Sequence, residues 1–154
     1  MNVEFINPFI AALVNVLKTM AQTELTPGKP KKKTEEIAKG DVSGLIGMVG
    51  DKVKGSLSIT FDESLALEIM KRMLGEKPDS IDTEVTDMVG EITNMICGGA
   101  KSELAVKGYD FGMATPIVVT GKNHTINHQV DGPKMILPFT SDIGNAYLEI
   151  CFDK

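Results

Sequence analysis

The stretch "DMVGEITNMICGG", residues 87–99, reads as the middle of a long helix running from about Thr83 to Lys107 and ending before Gly108. At about 100° per residue with Asp87 at zero, Val85, Val89, Ile92, Ile96, Gly99 and Ala100 fall within about 60° of the opposite side, which predicts a buried face. Asp87, Gly90, Glu91, Asn94, Gly98, Lys101 and Ser102 fall within about 60° of zero, which predicts an exposed one. Glu91 and Asn94 are three residues apart, so their side chains are surface neighbours. Glycine weakens a helix interior by about 1 kcal/mol relative to alanine, so Gly90 and Gly98 on the polar face call for a reason. They leave a low floor on which a carboxylate and an amide stand, open to close approach by a partner. The same pattern also suits an ordinary solvated helix face, because an acid and an amide at this spacing are a common pair.

Working outward, "INPFIAALVNVLKTMAQ" predicts a first helix over residues 7–23, with Asn7 as cap and Pro8 in the first turn. Pro27, Gly28 and Pro30 end it, and Lys29, Lys31, Lys32 and Lys33 suit a solvated loop or a charge-protected edge strand. "GLIGMVG" (44–50) and "KGSLSITF" (54–61) read as strands joined by a "GDK" turn, with Leu57, Ile59 and Phe61 on one face. Asp62 then suits the cap of a second helix over 63–74, closed by Gly75. After the long helix, "ATPIVVTG", "PKMILPFTS" and "NAYLEICF" read as three strands separated by Gly121 and by "DGP" (131–133). Pro138 inside the middle one implies an edge or a bulge. The order is a helix followed by about three strands, used twice, with the second helix between. It predicts one α+β domain over residues 1–154 with a largely antiparallel sheet, long helices on one face and pseudo-duplicated halves.

The 154 residues carry a net charge of −5, no tryptophan and only 5% aromatics. That composition argues against a nucleic-acid partner, which needs basic patches and stacking platforms. The nine methionines suit gap-filling in a core. Cys97 and Cys151 lack metal-ligand spacing and are expected reduced and largely buried. His124 and His128 are four apart in a Gly/Asn-rich strand–turn region with no third ligand, so no metal site is expected. No phosphate loop and no nucleophile–base arrangement is visible. The N-terminus lacks the pattern of a signal peptide, and the apolar run Phe9–Leu17 is too short to span a bilayer. A cytoplasmic protein without membrane contact is the expectation.

Asp87, Glu91 and Asn94, together with Pro116 in "ATPIVV", resemble the signature of the CheC/CheX/FliY phosphatases of bacterial chemotaxis. There an acidic residue or serine precedes a glutamate by four, an asparagine follows three later, and a proline comes roughly two dozen residues on. The resemblance covers nearly the whole chain and looks most like CheX-type members, with the CheC-like fold. Where CheC-type members carry a second pair, the first helix here has Asn15 but Ala12 in place of the acid, which implies one functional site. The resemblance implies hydrolysis of the aspartyl phosphate on a CheY-type receiver domain. Asn94 would orient the water, Glu91 would pair with a receiver lysine, and Asp87, Gly90, Gly98 and Lys101 would meet the partner. It further implies Mg2+ carried by the receiver, no cofactor of the chain's own, and a homodimer. A non-catalytic receiver-binding or flagellar-switch-like scaffold is the other reading, disfavoured by the intact Glu91/Asn94 pair.

Overall fold

A computed structural model describes residues 3–35, 37–51, 54–128, 130 and 132–152. Helix α1 spans Val3–Ala21, with Phe9, Leu13, Val16 and Leu17 buried at helical spacing. It begins one turn before the expected start, so Pro8 lies inside it rather than at its first position. The extra turn brings Phe5 onto Tyr109 and Phe152, at centroid distances of 4.4 and 5.0 Å. This aromatic packing offsets the backbone hydrogen bond that Pro8 cannot donate. The helix stops at Gln22, whose φ is 50°.

Strands β1 (Thr26–Pro27) and β2 (Lys31–Lys32) are short edge pieces. Strands β3 (Val42–Val49) and β4 (Lys54–Phe61) form an antiparallel pair in register from Val42↔Phe61 to Val49↔Lys54. Of the two turns read from sequence, Lys52 in the first and Asp131 in the second lie outside the described residues. Helix α2 (Glu63–Leu74) ends on Gly75 at φ 89°. Its first N–H, that of Glu63, donates to Asp41 at 2.8 Å, whereas the Asp62 carboxylate accepts from the Asn145 N–H at 2.9 Å. Asp62 therefore ties the helix start to the loop before the last strand, and Asp41 takes over the capping role that local sequence assigned to Asp62. Helix α3 (Thr83–Val106) is the longest element and is capped by Asp82, which accepts from the Val85 N–H. Strands β5 (Gly112–Met113), β6 (Ile117–Thr120), β7 (Lys134–Thr140) and β8 (Ala146–Phe152) complete the chain.

All strand pairs are antiparallel, in the order β1-β7-β8-β4-β3-β5, with β2 also on β7 and β6 also on β3. The duplication is visible in this order. Strands β4 and β8, each the last of its half, pair at the centre. The broken first strand of each half crosses to the other half: β1/β2 joins β7, and β5/β6 joins β3. Pro138 falls between the two short ladders that β1 and β2 make on β7, and its carbonyl accepts from the Gly28 N–H at 2.7 Å. Its missing N–H points to that same outer side, where no ladder bond is lost.

The register puts Leu57, Ile59 and Phe61 of β4 and Leu148, Ile150 and Phe152 of β8 on one face, in the main hydrophobic cluster with the three helices. Ser56, Ser58, Thr60 and Glu149 point to the other face and are buried too. Lys33, His124 and His128 lie on that face, in segments joined by the Ile37↔Thr125 bridge and by the Ala38 N–H to the His124 carbonyl. His124 Nε2 lies 2.6 Å from the Ser43 hydroxyl. His128 lies 2.7 Å from the Ser56 hydroxyl and 3.1 Å from Glu149. Lys33, expected in a solvated basic run, is instead buried and donates to Glu149 at 2.6 Å. Burial alone would push the Glu149 carboxyl up, but the hydrogen bonds and charges of His128 and Lys33 outweigh it and hold it below the usual carboxylate range.

Candidate functional site

Helix α3 lies directly on β3, because Gly44 has no side chain and buried Thr93 occupies the space. Its flanks meet α1 and α2, so the buried arc is wider than the wheel alone implies: Met88, Thr93 and Cys97 join Val85, Val89, Ile92, Ile96 and Ala100. Gly99, expected in the core, remains solvent-accessible. It is nevertheless a helix contact, since a Cβ there would come 3.3 Å from Ala12 of α1.

The uncovered stripe carries Asp87, Glu91 and Asn94, all exposed, with Gly90 and Gly98 half-buried among them. Asp87, Gly90, Glu91 and Asn94 form one wall of a groove of about 590 Å³. Ala114, Thr115 and Pro116 form the facing wall. This wall exists because the edge strand is bulged: Met113 pairs with Met48 and Ile117 with Leu45. Three residues, Ala114 to Pro116, therefore oppose two, Ile46 and Gly47. Such an extra residue bends the strand out of the ladder, and proline fits there because no ladder donor is needed. The sequence suggested one continuous strand from 114; the bulge in its place is what turns Pro116 toward α3's groove.

Thr86 and Thr115 also line the groove and were not singled out from sequence, since a lone threonine in a helix or strand carries no signal. Lys101 does not line it. Its ammonium is held 3.1 Å from Asp110 and 5.6 Å from the centre of the Phe111 ring. Gly98 lies a turn beyond Asn94, and a Cβ there would meet nothing within 4 Å. Neither the Glu91 carboxylate nor the Asn94 amide has a side-chain hydrogen bond or ion pair among the described residues. Both are free to engage an incoming molecule.

Among the described residues the lining is acidic and neutral, with no basic one. A phosphoryl group alone would be repelled; a partner that brings its own cations would not. Cys97, three residues past Asn94, is fully buried, and burial pushes its thiol up to about 12, so it is a neutral thiol at neutral pH. Among the described residues no group of three or more His, Cys, Asp or Glu is placed to hold a metal ion, and no helix is long and apolar enough to cross a membrane.

Residues 42–140 match the family model "Chemotaxis phosphatase CheX". The chain belongs to the CheX family. The curated CheY-P phosphatase CheX of Thermotoga maritima is 24% identical over 124 residues, covering 80% of this chain and 79% of that protein. The crystal structure of chemotaxis protein CheX from Vibrio vulnificus is 65% identical, with a TM-score of 0.92, over 97% of this chain and 99% of that one. The CheX chain in a CheX–CheY–BeF3–Mg2+ complex from Borrelia burgdorferi is 29% identical, with a TM-score of 0.83, over 99% of this chain and 100% of that one. Family membership makes this chain a chemotaxis phosphatase with an α+β fold, as the sequence signature implied.

The position on α1 that duplication would pair with the α3 site carries Ala12 and Asn15. Ala12 packs toward Gly99 rather than presenting an acid, and exposed Asn15 accepts from the Thr19 hydroxyl at 3.4 Å. Only α3 carries a complete pair.

Proposed function

We propose that this chain hydrolyses the aspartyl phosphate of a CheY-type response regulator, with Asn94 positioning the attacking water and Glu91 docking a lysine of the receiver. The observation that carries the reading is the exposed, unpaired Glu91/Asn94 pair beside the Pro116 wall of an acidic groove. An acyl phosphate is already activated. The receiver contributes Mg2+ and a lysine around the phosphoryl oxygens, and what remains is to hold a water in line with phosphorus. An amide both donates and accepts hydrogen bonds, so Asn94 orients the water without taking its proton. Water oxygen bonds to phosphorus as the phosphorus–carboxylate bond breaks; the aspartate leaves as carboxylate, and the proton passes to inorganic phosphate or solvent. Orientation of this kind lowers a barrier by several kcal/mol. Glu91, Asp87 and the bare Gly90 and Gly98 let the receiver's active-site loops settle on α3 through charge-assisted contacts. The chain works as a homodimer whose α3 groove stays open, a reading supported by the family and by the sheet edges at β1/β2 and β5/β6.

The test is phosphate release from a phosphorylated receiver with and without the protein. Acceleration supports the reading, and a rate equal to that of the receiver alone contradicts it. Light scattering near twice 16.6 kDa supports the dimer; a monomer over a wide concentration range removes it.

A further inference from the structure

The α3 stripe has a second flank. Between α2 and α3 lies a groove of about 360 Å³ floored by Met70, Met73, Leu74 and Met88. Leu74 is 64% exposed and Met73, packed against the core, is partly buried, so apolar surface is left open to solvent mainly at Leu74. The rim is Glu84, Asp87 and Glu91, and among the described residues no basic one lines it. Arg72 and Lys77 of the neighbouring surface are both paired to Glu68.

Two of these rim residues, Asp87 and Glu91, also wall the groove that holds Asn94. The two grooves are thus the two sides of one ridge. A molecule seated on Glu91 from the Asn94 side abuts the methionine groove as well. A second copy of this chain seated there would cover Glu91 and shut the phosphatase site.

We propose that the α2–α3 groove receives an apolar side chain of the receiver domain, flanked on the receiver surface by lysine or arginine. The inference rests on the phosphatase reading above and adds a specificity contact to it. The acidic rim selects for basic neighbours and steers approach. The flexible methionine floor adapts to the shape of the entering side chain. Burying one leucine-sized side chain is worth roughly ten- to a hundredfold in affinity, more than a solvent-exposed rim charge pair adds.

The experiment measures affinity for a CheY-type receiver activated with beryllofluoride and Mg2+, alongside phosphate loss from the same receiver when phosphorylated. The Met73→Ser/Leu74→Ser double variant should bind roughly ten- to a hundredfold more weakly while keeping turnover at saturating receiver. Leu74→Ser alone, which leaves the core packing of Met73 in place, should weaken binding in the same direction. Val106→Ser, which removes another exposed apolar side chain outside both grooves, should bind as wild type does. Glu84→Gln should weaken binding at low salt and flatten its salt dependence. A double variant within twofold of wild type overturns the groove proposal and leaves the phosphatase reading intact. Wild type that binds the activated receiver without speeding phosphate loss sinks the phosphatase reading, while the affinity ratio still decides the groove. No binding by wild type overturns both.

Discussion

A Cβ on Gly44 of β3 would overlap the hydroxyl of Thr93 on α3, and this close approach sets the height of the functional helix above the sheet. The Thr93 hydroxyl is meanwhile held by the Val89 carbonyl at 2.7 Å, so it has little freedom to turn away. Glu91 and Asn94 flank Thr93 in sequence and move with it.

Gly44→Val should therefore cost about 1–3 kcal/mol of stability through overpacking. It should also lower turnover at saturating receiver by lifting α3, although it touches neither groove. Urea denaturation and single-turnover assays on the same preparation check both parts.

The half-buried glycines of the α3 stripe separate packing from function. A Cβ at Gly98 meets nothing, and one at Gly90 lies 3.4 Å from Val118, an ordinary contact. Each change to alanine should stabilise the fold by about 0.5–1 kcal/mol. If the bare floor serves receiver docking, the same variants should raise the half-saturating receiver concentration. Stabilisation with unchanged docking would assign these glycines no part in recognition.

Much of this was legible in the sequence. The 3.6-residue period of α3 sorts Glu91 and Asn94 from Ile92 and Ile96, and the strand alternation of β4 gives its core face. What local pattern missed depends on partners distant in the chain. Ser56, Ser58 and Thr60 alternate as a solvated strand face would, yet they are covered by a segment about 70 residues later that brings His124 and His128. Lys33 reads as part of a basic run until Glu149, 116 residues on, is placed beside it. The Pro116 bulge is likewise a property of register against β3, which only the folded sheet defines.

The Lys33–Glu149–His128 cluster makes acid sensitivity specific. Glu149 is held below the ordinary carboxylate value of about 4.3 in the folded chain. Its contribution to stability is thus complete above that value and is lost as pH falls through the lower folded value. The urea midpoint should drop on acidification below about pH 4.3, and less steeply for Glu149→Gln. Lys33→Met should cost about 3–5 kcal/mol at neutral pH by leaving a buried charge underpaired. Denaturation at several pH values tests both.

Glu91 should act through docking. Glu91→Ala is expected to raise the half-saturating receiver concentration, and added salt should erode the wild-type rate more than that of the variant, since screening weakens an interface ion pair. Asn15→Ala should change neither parameter, because α1 lacks the acid partner. Steady-state phosphate release across a salt series distinguishes the three proteins.

The central claim is that Asn94 orients the hydrolytic water. Its side chain is exposed and fills no cavity, so Asn94→Ala should unfold within about 0.5 kcal/mol of wild type. The most direct measurement is single-turnover loss of phosphoreceiver at saturating protein. The account predicts a rate about a hundredfold below wild type for Asn94→Ala, approaching that of the receiver alone, with binding of the activated receiver retained. A variant that hydrolyses the phosphate as fast as wild type under those conditions would contradict the positioned-water mechanism.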